Sequence, residues 1–244
     1  MHELGLIVVA TRVFSWTQWG NTALVALVFT TFGRWLRGVS NSGAVAGAVV
    51  CFLLSACAGG GALTALISVF VLTWIATRFG HSRKQKLGTA EKGGRTASQV
   101  LANLGVATIA AVLFAVYGRA GFLLAMAAAL SEAAADTVSS EIGQAVGANP
   151  RLITTWKVVP AGTDGGVTFA GTFAGVIAAL VVCAVCGVMG LVSWRSSGLI
   201  IGSAVAGMIA DSFLGAWLER RKILNNDLVN FLGTLVAAGI ALAL

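Results

Sequence analysis

Charge is scarce in this sequence: only 10% of its 244 residues are Asp, Glu, Lys or Arg, against about 25% in an ordinary soluble domain. That is too little to coat a soluble fold, so a soluble enzyme is excluded. Proline is nearly missing too, Pro150 and Pro160 being the two present, which excludes a proline-rich disordered chain. The four cysteines, Cys51, Cys57, Cys183 and Cys186, all lie in apolar runs and form no disulfide framework. Cys183 and Cys186 make a C-x-x-C, but two further zinc ligands at useful spacing are lacking, so both read as small apolar packing residues. No G-x-x-x-x-G-K-[ST] occurs, which excludes a P-loop NTPase.

What fills the chain instead is 57% hydrophobic residues and 31 glycines, at a mean hydropathy of +0.90. Apolar runs fall at about 4–32, 43–58, 62–77, 99–117, 121–138, 166–190, 198–218 and 228–244, separated by short polar breaks. At about 20 residues per spanning helix, the expectation is an all-α polytopic membrane bundle of roughly seven or eight spans. Residues 1–244 then form a single integral membrane domain. The first run contains Arg12, Trp16 and Trp19, so residues 4–19 suit either a span or an interfacial segment. The start of the chain lacks the basic flank of a signal peptide and is expected to be retained.

The basic residues divide unevenly between alternate loops. Thirteen fall on one side, at Arg34 and Arg37, from Arg78 to Arg95, at Arg151 and Lys157, and at Arg220 to Lys222, while Arg119 and Arg195 fall on the other. The basic side is assigned to the cytoplasm. Small residues four apart, such as Gly43 and Gly47, Gly171 and Gly175, and Gly198 and Gly202, are expected to let helix backbones approach closely.

Six of the nine acids, Asp136, Glu141, Asp164, Asp211, Glu219 and Asp227, lie near the cytoplasmic ends of four spans. An acid near the centre of a span costs about 2.5–3.5 kcal/mol on the insertion scale, so Asp136 and Asp211 require a compensating partner. Glu132, Asp136, Ser139, Ser140 and Gly143 share one helical stripe, and Ser203, Gly207, Asp211, Gly215 and Glu219 recur every four residues. Three readings stand side by side: arginine partners that lock helices together, a proton relay in a transporter, or a site for a divalent cation such as Mg²⁺, which takes carboxylate and phosphate oxygens.

Two loops carry glycines beside cations. In RFGHSRKQKLGTAEKGGRTASQ, residues 78–99, Lys92-Gly93-Gly94-Arg95 combines unobstructed amides with positive charge and suits a phosphate. Arg83, Lys84 and Lys86 suit a phosphate or anionic lipid equally. In the second loop Lys157 precedes Gly162-Thr163-Asp164-Gly165-Gly166, which opens a span, where helix amides attract phosphate and Asp164 is placed to hold a bridging metal.

From about Ser40 onward the chain resembles the transmembrane protein 19 family of integral membrane proteins, also described as domain of unknown function 92, which includes the phytyl-phosphate kinase of plant vitamin E synthesis. The resemblance rests on five motifs in order. They are Gly93-Gly94-Arg95 with Gln99 to Asn103; Ala135-Asp136-Thr137 with Ser140-Glu141-Ile142-Gly143; Thr154-Thr155 through Lys157 and Pro160 to Gly166; Asp211-Ser212-Phe213-Leu214-Gly215 with Glu219; and Asn226-Asp227-Leu228-Val229-Asn230-Phe231. Leu104 stands where the family has glycine, and Ala161 where it has a second proline.

The resemblance implies phosphoryl transfer from a nucleoside triphosphate, CTP by family analogy, to an isoprenoid monophosphate, with Mg²⁺ and a site facing the cytoplasm. On that reading Arg95, Asp136, Lys157 and Asp211 are catalytic. Asp136, Glu141, Asp164, Asp211 and Asp227 hold metal, and Lys92, Gly93, Gly94, Asn103, Gly162, Thr163, Gly165, Gly166 and Asn226 bind the phosphates. The partners implied are the lipid substrate, the nucleotide and the bilayer, with no nucleic acid. A membrane carrier for lipid phosphates, or a polyprenol kinase or nucleotidyltransferase, are the alternatives. The attacking phosphate oxygen is already ionised, so the enzyme has mainly to offset repulsion between anions.

Overall fold

The computed structural model describes residues 16–90, 93–146 and 149–244. Lys92, and the part of the 4–19 segment that precedes Trp16, lie outside the described residues. Among the described residues the architecture is an all-α bundle of eight helices: α1 Trp16–Trp35, α2 Asn41–Arg78, α3 His81–Leu87, α4 Ala97–Tyr117, α5 Gly121–Val146, α6 Phe169–Val188, α7 Ser197–Leu214 and α8 Asn226–Ala243. A 3₁₀ turn, Trp194–Ser196, leads into α7, and a π turn, Gly215–Glu219, extends it.

Six of these helical stretches are long and apolar enough to cross a membrane, against the seven or eight expected. The difference has two sources. α1 is not among the six, its apolar run being diluted by Gln18, Asn21 and Arg34. The runs at 43–58 and 62–77 join in the 38 residues of α2, which breaks at Gly59, where φ is 82° and ψ is −174°. Such a φ is open to glycine and strained for other residues. A straight helix of that length would measure about 57 Å, yet Trp74 and Arg78 near its end both donate to the carbonyl of Leu36, just before its start. The two limbs of α2 therefore run antiparallel, with the turn at Gly59.

This reversal brings the basic loops to one end of the bundle. Val39 and Arg95 pair as a β-bridge, and Ser40 N–H donates to the Arg95 carbonyl at 2.9 Å. A Cβ on Gly80 would lie 2.6 Å from Ala145 Cβ, and one on Gly162 would lie 2.5 Å from Thr89 Cγ2. The glycine-bearing loops 78–99 and 150–166 thus meet on the same face. At the opposite end Gly61 packs by Met189 and Leu191, and Gly121 by Leu242.

Four of the spanning helices begin on the loop face, and each of these opens with a side-chain cap: Ser40 for α2, Thr96 with Gln99 for α4, Thr168 for α6 and Asn225 for α8. Each cap satisfies an amide that would otherwise lack a partner. The positive ends of four helix dipoles consequently point at this face.

α5 is the central helix. In its most apolar window 72% of residues are buried, against 33–44% in the other five spans. Glycines of α6 let that helix come close to it: a Cβ on Gly171 would fall 2.5 Å from the Ser139 carbonyl, and one on Gly175 would fall 2.7 Å from that of Ala135. Gly198 and Gly202, expected to pack in the same way, instead face outward with nothing within 4 Å. Cys183 and Cys186 are buried and unpaired, as small apolar residues would be.

Candidate active site

On the loop face the loop between α5 and α6 folds over the bundle, tied by a two-residue antiparallel ladder of β1, Arg151–Leu152, with β2, Gly166–Val167. Beneath it lies a polar cavity of about 280 Å³, lined from five elements. α4 and the loop before it supply Arg95, Gln99 and Asn103; α5 supplies Asp136, Thr137, Ser140 and Glu141; the loop between α5 and α6 supplies Gly162 to Thr168; α7 and its π turn supply Asp211, Ser212, Gly215 and Glu219; and α8 supplies Asn226 and Asn230.

The acids concentrate at its floor. The carboxyls of Asp136 and Asp211 are within hydrogen-bonding reach of one another. Asn230, with its amide oriented to suit its neighbours, donates to Asp211 Oδ2 at 3.3 Å and accepts from Asn103 Nδ2 at 3.2 Å. These two amides fix the Asp211 carboxylate. One turn deeper on α5, Glu132 is buried with its Oε1 lacking a hydrogen-bond partner. Room for it exists only because α7 and α8 offer glycine: Cβ atoms on Gly207 and Gly233 would lie 2.7 Å from Glu132 Cγ and 2.6 Å from Oε1.

Arg95 is the single cation lining this cavity among the described residues, and it acts electrostatically on Asp136. Against it stand the carboxyl groups of Asp136, Asp164, Asp211 and Glu219, so acidic groups outnumber basic ones in the cavity. A triphosphate alone would be repelled; a cation would be drawn in. No cluster of three or more His, Cys, Asp or Glu able to cage an ion forms among the described residues. Two facing carboxylates with neutral amides fit Mg²⁺, which keeps several waters and binds through one or two carboxylates plus substrate phosphates.

Five expected residues sit elsewhere or act differently. Glu141 lines the cavity, but its Oε2 is bound to Lys84 Nζ at 2.6 Å and its Oε1 accepts from Thr77 Oγ1 at 3.1 Å, so both carboxylate oxygens are engaged within the bundle. Lys157 is exposed and lines neither cavity, because the hydrogen bonds Leu152 N–H to Lys157 carbonyl and Val159 N–H to Pro150 carbonyl fold its loop outward. Asp227 lies at the edge, close enough to act on Glu219 but outside the lining. Gly93 and Gly94 line a second, larger cavity. Gly94, at φ 79°, is required by packing: its Cβ would lie 2.8–3.0 Å from the backbone of Val39 and Arg37.

That second cavity, of about 660 Å³, lies between α1, both limbs of α2 and α4. It shares Arg95, Gln99 and Asn103 with the first. Sequence reasoning did not single out Gln99, Ser140, Ser212 or Asn230 as site residues, although all four fall inside the motifs. Neutral amides and hydroxyls carry no charge pattern to mark them.

The chain matches the family model of integral membrane protein DUF92 over residues 24–238. It is 34% identical over 216 residues to an uncharacterised membrane protein of Methanocaldococcus jannaschii, covering 87% of this chain and 88% of that protein. It is 35% identical over 189 residues to an uncharacterised membrane protein of Synechocystis, covering 73% of this chain and 72% of that one. Identity to the chloroplastic protein VTE6 of Arabidopsis thaliana is 30% over 220 residues, covering 83% of this chain and 65% of VTE6. No solved structure matches.

Proposed function

The chain belongs to the DUF92 family of integral membrane proteins, and on that premise we propose that it is an isoprenoid-monophosphate kinase. The γ-phosphoryl group of a nucleoside triphosphate, CTP by analogy with the phytyl-phosphate kinase branch, passes to the lipid monophosphate and leaves the nucleoside diphosphate. A phosphate oxygen of the acceptor forms the new bond to phosphorus as the bond to the leaving diphosphate breaks.

The observation that carries this reading is the position of Arg95, which lines both the acid-floored polar cavity and the larger apolar one. A guanidinium there reaches phosphates approaching from either side and offsets the charge that accumulates in flight. Asp136 and Asp211 would hold Mg²⁺, and the cation would supply positive charge against the phosphates. Gly162 to Gly166 and the capped starts of α4, α6 and α8 offer amide donors and positive dipole ends to the nucleotide phosphates.

The test is direct. Protein purified in detergent is given Mg²⁺, labelled CTP or ATP, and geranylgeranyl or phytyl phosphate. Label should appear in the lipid diphosphate. Binding of the lipid phosphate with no nucleotide consumed would favour a carrier and overturn the kinase.

The same reading places the loop face in the cytoplasm, where nucleotide is found. In a variant lacking the native cysteines, Ser82→Cys and Ala161→Cys are expected to react with an impermeant maleimide only after cells are opened. Labelling of either on intact cells would reverse the orientation.

A further inference from the structure

The larger cavity is unlike the polar one in its walls. Phe29 of α1, Val50, Leu66, Val69 and Phe70 of the two α2 limbs and Leu104 of α4 make its body apolar. Its mouth is basic, formed by Arg34, Arg37, Arg78 and His81. Several of these cations are held in place: Arg34 Nε donates to Asn41 Oδ1 at 2.7 Å, and Arg78 lies over the Trp74 ring at 4.6 Å while donating to the Leu36 carbonyl. An apolar body with a cationic rim, open at one corner onto Arg95, complements a single hydrocarbon chain that ends in a phosphate.

Gly43 and Gly47 form one of the small-residue pairs that sequence reasoning assigned to helix packing. Only Gly43 packs: a Cβ there would strike the Arg95 carbonyl. Gly47 lies one turn deeper, about 6 Å along α2. It lines the apolar cavity, and a Cβ on it would meet nothing within 4 Å. Its missing side chain serves no helix contact and leaves the space empty. Val50 follows almost one turn further in, on the same wall.

Building on the kinase reading, we propose that this groove holds the isoprenoid chain of the acceptor, with its phosphate between the basic mouth and Arg95, and that the absence of a side chain at Gly47 keeps the groove open to long chains. A larger residue at position 47 would block the chain part way in. Short chains would end before it.

Two measurements test this and separate it from the kinase reading. The first is equilibrium binding of radiolabelled geranylgeranyl phosphate and of isopentenyl phosphate to detergent-solubilised protein without nucleotide. Gly47→Leu is expected to weaken binding of the long chain at least tenfold and leave the short one within about twofold, with Gly47→Ala intermediate. Undiminished binding of the long chain by Gly47→Leu overturns the groove, as does equal loss for both chains, which would mark a structural role. The second is turnover with Mg²⁺ and nucleotide. Chain-selective loss in binding together with no turnover in the unsubstituted protein keeps the groove and rejects the kinase; the same selectivity as a raised KM for the long chain supports both.

Discussion

Asp136→Asn and Asp211→Asn are each expected to lower phosphoryl transfer at least ~100-fold, about 2.7 kcal/mol of transition-state stabilisation, while leaving the protein folded. The exchange keeps size and removes one of the two carboxyls that would bind the cation. Folding should tolerate it: the Asn230 amide that donates to Asp211 Oδ2 finds an amide oxygen in the same place in the variant. The readout is kcat against Mg²⁺ concentration, with the thermal midpoint in detergent as the folding control. Loss of turnover with an unchanged midpoint, partly restored by raised Mg²⁺, supports the assignment. Full activity of both variants at limiting Mg²⁺ sinks it. Lys157→Ala, whose side chain is exposed and clear of both cavities, should by contrast stay within a few-fold.

How Asp136, Asp211 and Glu141 come to be placed as they are follows from helix geometry. Acids in an apolar run stand out because the bilayer penalises them, and a period of four places Asp136 on the stripe of α5 that faces α7. Glu141 falls off that stripe, and one residue's rotation is enough to turn it toward α2 and α3 instead. The break at Gly59 was readable as a gap between two apolar runs, whereas its consequence, an antiparallel hairpin that carries the 78–99 loop back to residues 36–40, is a tertiary fact. Hydropathy also could not divide Gly43 from Gly47. They share residue type, helix and face, and differ only in what stands opposite: a backbone carbonyl for one and empty space for the other.

Lys84 shows the same limit most sharply, and yields the second large effect. In sequence it is one cation in a run with Arg83 and Lys86, suited equally to a phosphate or to lipid headgroups. In the fold the short helix α3 turns it inward until it is fully buried, where Nζ donates to the carbonyls of Ala76 and Thr77 at 3.0 and 2.7 Å and to Glu141 Oε2 at 2.6 Å. Ala76 and Thr77 belong to the last turn of α2, whose carbonyls lack helical partners and present the negative end of its dipole. One ammonium thus closes that helix end and ties it to the central helix.

Lys84→Ala therefore leaves two carbonyls and a carboxylate without their donor. A broken buried pair costs about 3–5 kcal/mol, and with the Glu141 side chain 17% exposed to solvent the lower end applies. At about 2–4 °C per kcal/mol for a chain of this size, the thermal midpoint in detergent should fall by about 6–12 °C. Replacing both partners, as in Lys84→Met with Glu141→Leu, removes the unpaired charge and should recover most of that loss. The double variant also decides what Glu141 does. If its carboxylate serves only the lysine, the restored protein transfers phosphate at close to the original rate; if it also holds the metal, turnover stays lost although the midpoint has returned.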